Sequence, residues 1–328
     1  MITRRRFLVG TSVGLLGSQQ LSLAQASKKL RRVGLFGLAS KIIGRPIDEQ
    51  FVRGMRELGW VEGVNVSYQY VYANGDMSQL DRFARDLVSQ RPEVILVPAP
   101  PAVRAVSGVT KTIPMVMANV SNAVGNGFIS SLAKPGGNIT GITSQFEDVL
   151  GKLISILHEV SPDARRISVL LNETNPSHRV FWEVAQSACL TLGLEPIRNV
   201  ANTPAQLAIV ADKINQQQSQ AVVVVADGMF WSLRSQLNDS LLTTGLPVAY
   251  QMHAHAYAGG LLSYASNLKK NFHHAAKFVD KILKGANPAT LPVEQPTDFE
   301  LIVNMKTAKK LGINIPAAVL LQADVVVQ

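Results

Sequence analysis

The residues best placed to do chemistry follow the predicted strands of an alternating strand-and-helix pattern. Ser40 and Ser177 each precede a predicted helix, where a hydroxyl and free backbone N–H groups can seat a carboxylate. Asp227 is the lone acid at a strand end and suits a ligand ammonium, although it could equally cap the helix that follows. Ligands of open α/β sheets bind beyond the carboxyl ends of the strands, so these positions predict one binding site. The predicted site residues are Ala39, Ser40, Pro100, Asn119, Asn175, Ser177, Asp227, Gln251 and Tyr264.

Four aromatic side chains could supply an apolar wall for that site: Phe230, Trp231, Tyr250 and Tyr264. Such rings pack on apolar or aromatic ligand groups. Together with a carboxylate seat and an acid, they predict an amino-acid-like solute. Alternatives remain open, because residues at a helix start, such as Phe230 and Trp231, also fit a core. Asn175-Pro176-Ser177 is also typical of an ordinary turn before a helix.

Other chemistry finds little support in the sequence. There is no Walker A motif, and Gly10-Thr11-Ser12-Val13-Gly14 matches G-x-S-x-G without a strand-turn-helix setting. His253-x-His255 could share one face of a strand, and His273-His274 are adjacent, but no further ligand stands nearby at metal spacing. The single Cys189 cannot form an internal disulfide and is predicted to be a core residue. No metal, cofactor or catalytic activity is therefore expected.

The N-terminus resembles a bacterial export signal. Arg4-Arg5 precede Phe7-Leu8, an apolar run covers residues 9–16, and Ala24-Gln25-Ala26 gives a small-x-small end. The twin arginine indicates a Tat-type signal peptide over residues 1–26 and a periplasmic mature chain. A chance apolar run behind a basic N-terminus is the alternative. The run is too short to span a bilayer, which needs about 20 apolar residues.

The charge of the mature chain does not favour nucleic acid as a partner. The formal charge is +9, and removal of three arginines with residues 1–26 leaves +6. The basic residues are scattered in pairs without an aromatic-basic motif, which is typical of a solvated face.

The mature sequence contains the same strand-and-helix pattern twice, with an offset near 134 residues between corresponding segments. Apolar runs predict strands buried on both faces of parallel sheets, and helical spacing lies between them. The predicted strands are 33–36, 94–97, 169–171, 222–225 and 259–266, and the predicted helices are 49–58, 79–90, 177–192, 205–217, 230–242 and 268–284. This order predicts an α/β protein with two Rossmann-like lobes.

Three extended segments, residues 137–144, 259–266 and 291–300, are predicted to cross between the lobes and to form a hinge. The first lobe would comprise residues 27–140 and about 262–290. The second would comprise residues 141–261 and about 291–328.

Several segments resemble the substrate-binding proteins of ABC importers with the type I periplasmic-binding fold, in the subfamily that includes tryptophan- and tyrosine-binding members. They are RELGWVEG (56–63), SLAKPGGNITG (131–141), KILKGA (281–286) and LPVEQPT (291–297). The chain departs from many relatives at Pro98-Ala99-Pro100-Pro101 and at residues 251–255, both at predicted cleft loops.

The resemblance implies a monomer that binds a small solute in the cleft and delivers it to a membrane permease and ATPase. A receptor that feeds a membrane sensor or chemoreceptor is an alternative from the same fold. An exported α/β enzyme is the third hypothesis.

Overall fold

Two β-sheets form the centres of the two lobes in the computed structural model, which describes residues 30–328. The first sheet is wholly parallel, with strand order β2-β1-β3-β4-β5. Its strands are β1 (Arg31–Gly37), β2 (Val66–Tyr72), β3 (Val94–Val97), β4 (Met115–Ser121) and β5 (Ile139–Ser144). Every residue of Val94–Val97 is buried, as a continuous apolar run at the centre of a covered sheet requires. The predicted signal peptide, residues 1–26, lies outside the described residues.

The second sheet has seven strands in the order β12-β11-β10-β9-β8-β6-β7. They are β6 (Arg166–Leu171), β7 (Glu195–Val200), β8 (Ala221–Val224), β9 (Val248–Tyr250), β10 (Leu262–Ser266), β11 (Phe299–Asn304) and β12 (Val325–Val327). Only β10 and β11 pair antiparallel. After β10 the chain leaves for the first lobe, and it re-enters at β11 from the same side, so these two strands run in opposite directions.

Helices cover both sheets. The first lobe carries α1 (Lys41–Glu57), α2 (Leu80–Ser89), α3 (Pro100–Val109) and α11 (Leu268–Leu283). The second carries α4 (Phe146–Val160), α5 (His178–Thr191), α6 (Pro204–Ala208), α7 (Val210–Gln216), α8 (Gly228–Ser232), α9 (Arg234–Leu242), α10 (His253–Tyr257), α12 (Met305–Leu311) and α13 (Ala317–Gln322). Short 3₁₀ turns cover Met77–Gln79 and Pro288–Thr290. None of the helices described is long and apolar enough to cross a membrane.

Helix α11 returns late in the chain to complete the first lobe. It packs on α1, where Gly54 permits the approach: a Cβ there would lie 2.5 Å from the carbonyl oxygen of His273. The indole Nε1 of Trp60 also donates a hydrogen bond to Asp280 Oδ1 at 2.8 Å. A pair of helices about 220 residues apart in sequence is thereby fixed.

The predicted α/β class with two lobes is confirmed, and the structure sets the boundaries between them. The first sheet continues to Ser144 rather than stopping at 140, because β5 keeps pairing with β4. Strand β10 pairs with β9 in the second sheet, although residues 262–290 were expected in the first lobe. The third crossover pairs with the first, where Thr143 N donates to Glu294 O at 3.0 Å and Glu294 N donates to Gly141 O at 2.9 Å.

Two predicted helices differ from the structure in their continuity. The segment 205–217 is divided at Ile209 into α6 and α7, and 230–242 is divided at Leu233 into α8 and α9. Both residues have non-helical backbone angles, with ψ values of 7° and 19°. Apolar periodicity reports which face is buried and is insensitive to one break of this kind.

Candidate functional site

A cavity of about 380 Å³ lies between the lobes. The first lobe lines it with the ends of β1, β3 and β4 and with the first two turns of α1, α2, α3 and α11. The second lobe lines it with the segments that follow β6, β8 and β9. These are the carboxyl ends of parallel strands, where ligands of α/β sheets bind. The cavity is therefore the candidate binding site.

The structure brings five predicted site residues together at this cavity. Those five are Ala39, Pro100, Asn119, Asn175 and Asp227. Trp231 also lines the cavity, whereas Phe230 and Tyr250 are buried in the core of the second lobe. For Phe230 the alternative interpretation as a core residue therefore applies.

The two predicted serines do not line the cavity. Ser177 is 1 % exposed, and its hydroxyl oxygen accepts a hydrogen bond from Ser121 Oγ of the opposite lobe at 3.0 Å. This contact joins the lobes rather than facing a solute. Ser40 stands at the start of α1, where its carbonyl oxygen accepts from Gly44 N at 2.8 Å. The expected carboxylate seat is therefore not built from these hydroxyls.

Gln251 and Tyr264 are also placed away from the cavity. Gln251 is fully buried; its Oε1 accepts from Ala226 N at 3.0 Å and its Nε2 donates to the Phe146 carbonyl at 2.7 Å. Tyr264 packs on Phe299 with ring centroids 6.1 Å apart. Strand β10 lies inside the second sheet and does not cross the cleft, so its side chains face the layers of that lobe.

Asp227 combines the two roles that the sequence left open. It is the N-cap of α8, since its Oδ1 accepts from Met229 N at 2.8 Å, and it lines the cavity. The amides of Asn172 and Asn175 donate to Oδ1 at 3.1 Å and to Oδ2 at 3.2 Å. Asp227 is 6 % exposed, and no Lys or Arg within residues 30–328 forms an ion pair with it. A buried carboxylate is thus held at the cavity wall by neutral donors alone.

His178 stands behind this carboxylate and does not neutralise it. Its Nδ1 accepts from the Asn172 backbone N–H at 2.8 Å, which leaves Nε2 protonated and donating to the Ala226 carbonyl at 3.1 Å. Burial lowers the pKa of His178, so the ring stays neutral although Nε2 lies 3.7 Å from Asp227 Oδ2. The imidazole positions the loop and leaves the acid without a cation.

Asp48 is a second buried acid at the cavity, and the sequence analysis missed it. It lies on α1, is 5 % exposed, and accepts a hydrogen bond from the Tyr72 hydroxyl at 2.6 Å. Burial raises its pKa to about 6, against the opposing effects of Tyr72 and Arg45. Its position carried a signal, because Gly44, Asp48, Phe51 and Met55 share the buried face of α1. An acid on the buried face of a helix is a candidate functional residue, and the helical spacing could have identified Asp48 as one.

The remaining ionisable lining residues, Asp81 and Arg104, are exposed and were also missed. The Arg104 guanidinium lies 5.7 Å from the centroid of the Phe128 ring. Phe146, Met252 and Phe272 add apolar lining.

A family model for ABC transporter substrate binding proteins matches residues 46–327. The chain belongs to this family. Its members bind small solutes outside the cytoplasm and work with a membrane permease and an ATPase; they are binding proteins, not enzymes. The family resemblance inferred from the sequence is confirmed.

Individual relatives of this substrate-binding protein are distant. A tyrosine-binding protein of Clostridioides difficile (strain R20291) is 23 % identical over 291 residues, which are 87 % of this chain and 82 % of that protein. A conserved domain protein from Vibrio cholerae superposes with a TM-score of 0.85 at 24 % identity, covering 91 % of this chain and 100 % of the other. An ABC domain in complex with L-Trp from Streptococcus pneumonia gives a TM-score of 0.83 at 23 % identity, with the same coverage.

The histidine pairs of this substrate-binding protein do not form a metal centre. His253 and His255 lie on helix α10 rather than on a strand, so positions i and i+2 face different directions. His255 stacks on Tyr250 at 4.6 Å, and burial lowers its pKa to about 3. His273 and His274 pair with separate glutamates. Among the side chains described in residues 30–146 and 149–328, no group of three or more His, Cys, Asp or Glu could hold a metal ion.

Proposed function

We propose that this chain is the periplasmic receptor of an ABC import system and that it binds a small amino-acid-like or aromatic solute between its lobes. The observation that carries the proposal is the buried Asp227 carboxylate, which faces the cavity without a protein cation. A desolvated carboxylate of this kind gains most from a cationic partner. A ligand ammonium would supply that charge.

The shape and lining of the cavity support the same solute class. Its volume of about 380 Å³ suits a small molecule. Phe146 and Trp231 of the second lobe and Phe272 of the first present aromatic surface to it. Two relatives point the same way, since one is named a tyrosine-binding protein and the other is in complex with L-Trp.

A ligand carboxylate would have one basic partner. Arg104 is the single Lys or Arg among the described lining residues. Its guanidinium would form a charge-assisted hydrogen bond with a carboxylate. Arg104 thus takes the role that the sequence analysis gave to Ser40 and Ser177.

Capture of the solute would use hinge closure. The first and third crossovers pair with each other, and the Ser121–Ser177 hydrogen bond joins the lobes across the cleft. Type I binding proteins close by rotation of rigid lobes about such connections.

The binding proposal is tested by a thermal-shift and calorimetry panel of amino acids, aromatic acids and aromatic amines. A true ligand at about 100 times its Kd adds roughly 2.7 kcal/mol of stability. Asp227→Asn removes the charge and keeps a cap oxygen, so we expect it to weaken binding by about tenfold or more. Asp212→Asn, which removes an exposed acid on α7, is the matched control. No stabilisation by any compound, or equal binding by Asp227→Asn, would refute the proposal.

The export route and the transport role are tested in cells. We expect a variant with both Arg4 and Arg5 changed to Lys to remain in the cytoplasm, because the twin arginine would direct folded export. Periplasmic recovery of this variant would exclude the Tat route and leave the receptor role intact. Loss of uptake of the bound solute in a strain without this gene would support import. Normal uptake with a lost behavioural response would instead support the sensor alternative.

A further inference from the structure

The cavity has the opposite charge to the protein around it. Among the side chains that the structure describes, its ionisable lining residues are Asp48, Asp81, Asp227 and Arg104, so three acids face one base and their formal balance is −2. The whole chain carries +9. Charge complementarity between a site and its ligand sets specificity, and like charges brought together are strongly disfavoured.

The two buried acids, Asp48 of the first lobe and Asp227 of the second, have no Lys or Arg of their own as an ion-pair partner in the part of the chain that the structure describes. Asp227 is held by amide and backbone N–H donors beside the neutral His178. Asp48 accepts from the Tyr72 hydroxyl. Its neighbour Arg45 is shared, since the guanidinium stacks on the Tyr70 ring at 4.5 Å and its Nε lies 3.4 Å from Glu49. Neither carboxylate therefore has a dedicated cation.

The hydrogen-bond donors that remain for an anionic ligand group are mostly uncharged. The hydroxyls of Ser78, Ser121 and Thr174 line the cavity, but each already donates to another side chain of the protein. The two amides that hold the second-lobe acid each use one of their two N–H groups for that contact. The Arg104 guanidinium, the Trp231 indole N–H and the Asn119 amide are the donors that remain among the described lining side chains. Arg104 is thus the single charged donor among the described lining side chains.

We infer that the cleft selects solutes of net positive charge, an amine on an aromatic or apolar body, over the zwitterionic amino acid and the corresponding carboxylic acid. The inference rests on the proposed function, since it names the solute class of the same site. Asp48 lines the cavity from the first lobe and Asp227 from the second, so both carboxylates would attract an ammonium bound there. A solute carboxylate would bring a further negative charge to this cavity, with only Arg104 to offset it.

The test compares compounds that differ by one charged group. The probes are tryptamine, L-tryptophan and indole-3-propionate, and the parallel set tyramine, L-tyrosine and 3-(4-hydroxyphenyl)propionate. Isothermal titration calorimetry at pH 8 should give each amine a Kd about tenfold or more below that of its amino acid. The acids should bind more weakly than the amino acids.

The variant Asp48→Asn tests whether the preference for amines depends on the Asp48 carboxylate. We expect this variant to bind the amines about tenfold less tightly, with Asp212→Asn unchanged as the exposed control. The same loss should occur in the unchanged protein at pH 5, where the amines stay protonated and Asp48 gains a proton. The groups around Asp48 that could also respond are Arg45, Glu49, Tyr70 and Tyr72, with Asp81 and Asp227 across the cavity, so the pH effect must disappear in Asp48→Asn.

The outcomes separate this inference from the proposed function. If an amino acid binds more tightly than its amine, and Arg104→Gln removes that advantage, the inference is wrong and the proposed function stands. If the amine preference is unchanged in Asp48→Asn, the role of Asp48 is refuted. If none of the six probes binds, the proposed solute class falls together with the inference.

Discussion

Replacement of Asp48 by Asn should stabilise the folded protein at neutral pH and leave it unchanged in acid. Asp48 is 5 % exposed, and burial raises its pKa from 3.8 to about 6. An acid with a raised folded-state pKa prefers its proton in the folded protein. The folded state therefore loses stability as the pH rises from about 4 to about 6 and gains none back above that range. A shift of about two units corresponds to roughly 3 kcal/mol.

The asparagine keeps the interaction and removes the charge. Its Oδ1 can still accept the 2.6 Å hydrogen bond from the Tyr72 hydroxyl. We therefore expect Asp48→Asn to be about 2–3 kcal/mol more stable than the unchanged protein at pH 8, and equal to it at pH 4. That gain is a large part of a typical unfolding free energy of about 5–15 kcal/mol.

Urea denaturation between pH 4 and pH 8 measures this difference. Trp60 lies in the same lobe as Asp48, where its indole contacts Asp280, and it reports that lobe when Trp182 and Trp231 are replaced by Phe. Separate monitoring matters, because two lobes need not unfold in one step. Asp81→Asn, an exposed acid at the same cavity, is the control and should change little. A variant that is no more stable at pH 8, or whose advantage persists at pH 4, would refute the account.

Three further experiments test the packing, the closed state and the buried thiol. Gly141→Ala should destabilise the first lobe by about 2 kcal/mol or more in denaturant titrations, because φ is 120° there and a Cβ would collide with the backbone of strand β4. Gly137 has open space around it, so Gly137→Ala is the control and should leave the stability unchanged. Equal effects of the two substitutions would contradict this explanation by strain. Ser177→Ala removes the hydrogen bond between Ser121 and Ser177 and should favour lobe opening by about 1 kcal/mol, measured as the distance between two fluorescent labels, one on each lobe. The exposed Ser89→Ala is the control, and an unchanged distance in Ser177→Ala would contradict the prediction. Cys189 is fully buried and its pKa is raised to about 11, so a thiol reagent should label it only on unfolding; rapid labelling of the native protein would show that the site opens.

The sequence predicted the two lobes because the signals for them are local and repeated. Continuous apolar runs and helical spacing recur with a constant offset, and buried parallel strands require that pattern. The rule that ligands bind at the carboxyl ends of strands then located the cleft loops. Ala39, Pro100 and Asp227 were found in this way, since each lies in the loop that follows a predicted strand.

The direction of individual side chains was harder to predict. Ser177 and Gln251 follow strands as expected, yet each is turned into a contact between segments distant in sequence. Tyr264 was expected on a crossover, but the strand that carries it pairs inside the second sheet. The direction in which such a side chain points depends on which strands become neighbours in the sheet, and the residues around it in sequence do not determine that.

The amino-acid sequence by itself therefore determined the class of the protein, the duplicated strand-and-helix plan and the loops that surround the cleft. Only the tertiary structure decided the electrostatics of the cleft. It set Asp48 of α1 against the Tyr72 hydroxyl and placed a neutral His178 behind Asp227. The hydrophobic periodicity that predicts strands and helices is a property of residues close in sequence. The burial of an acid and the charges around it depend on groups that only folding brings together.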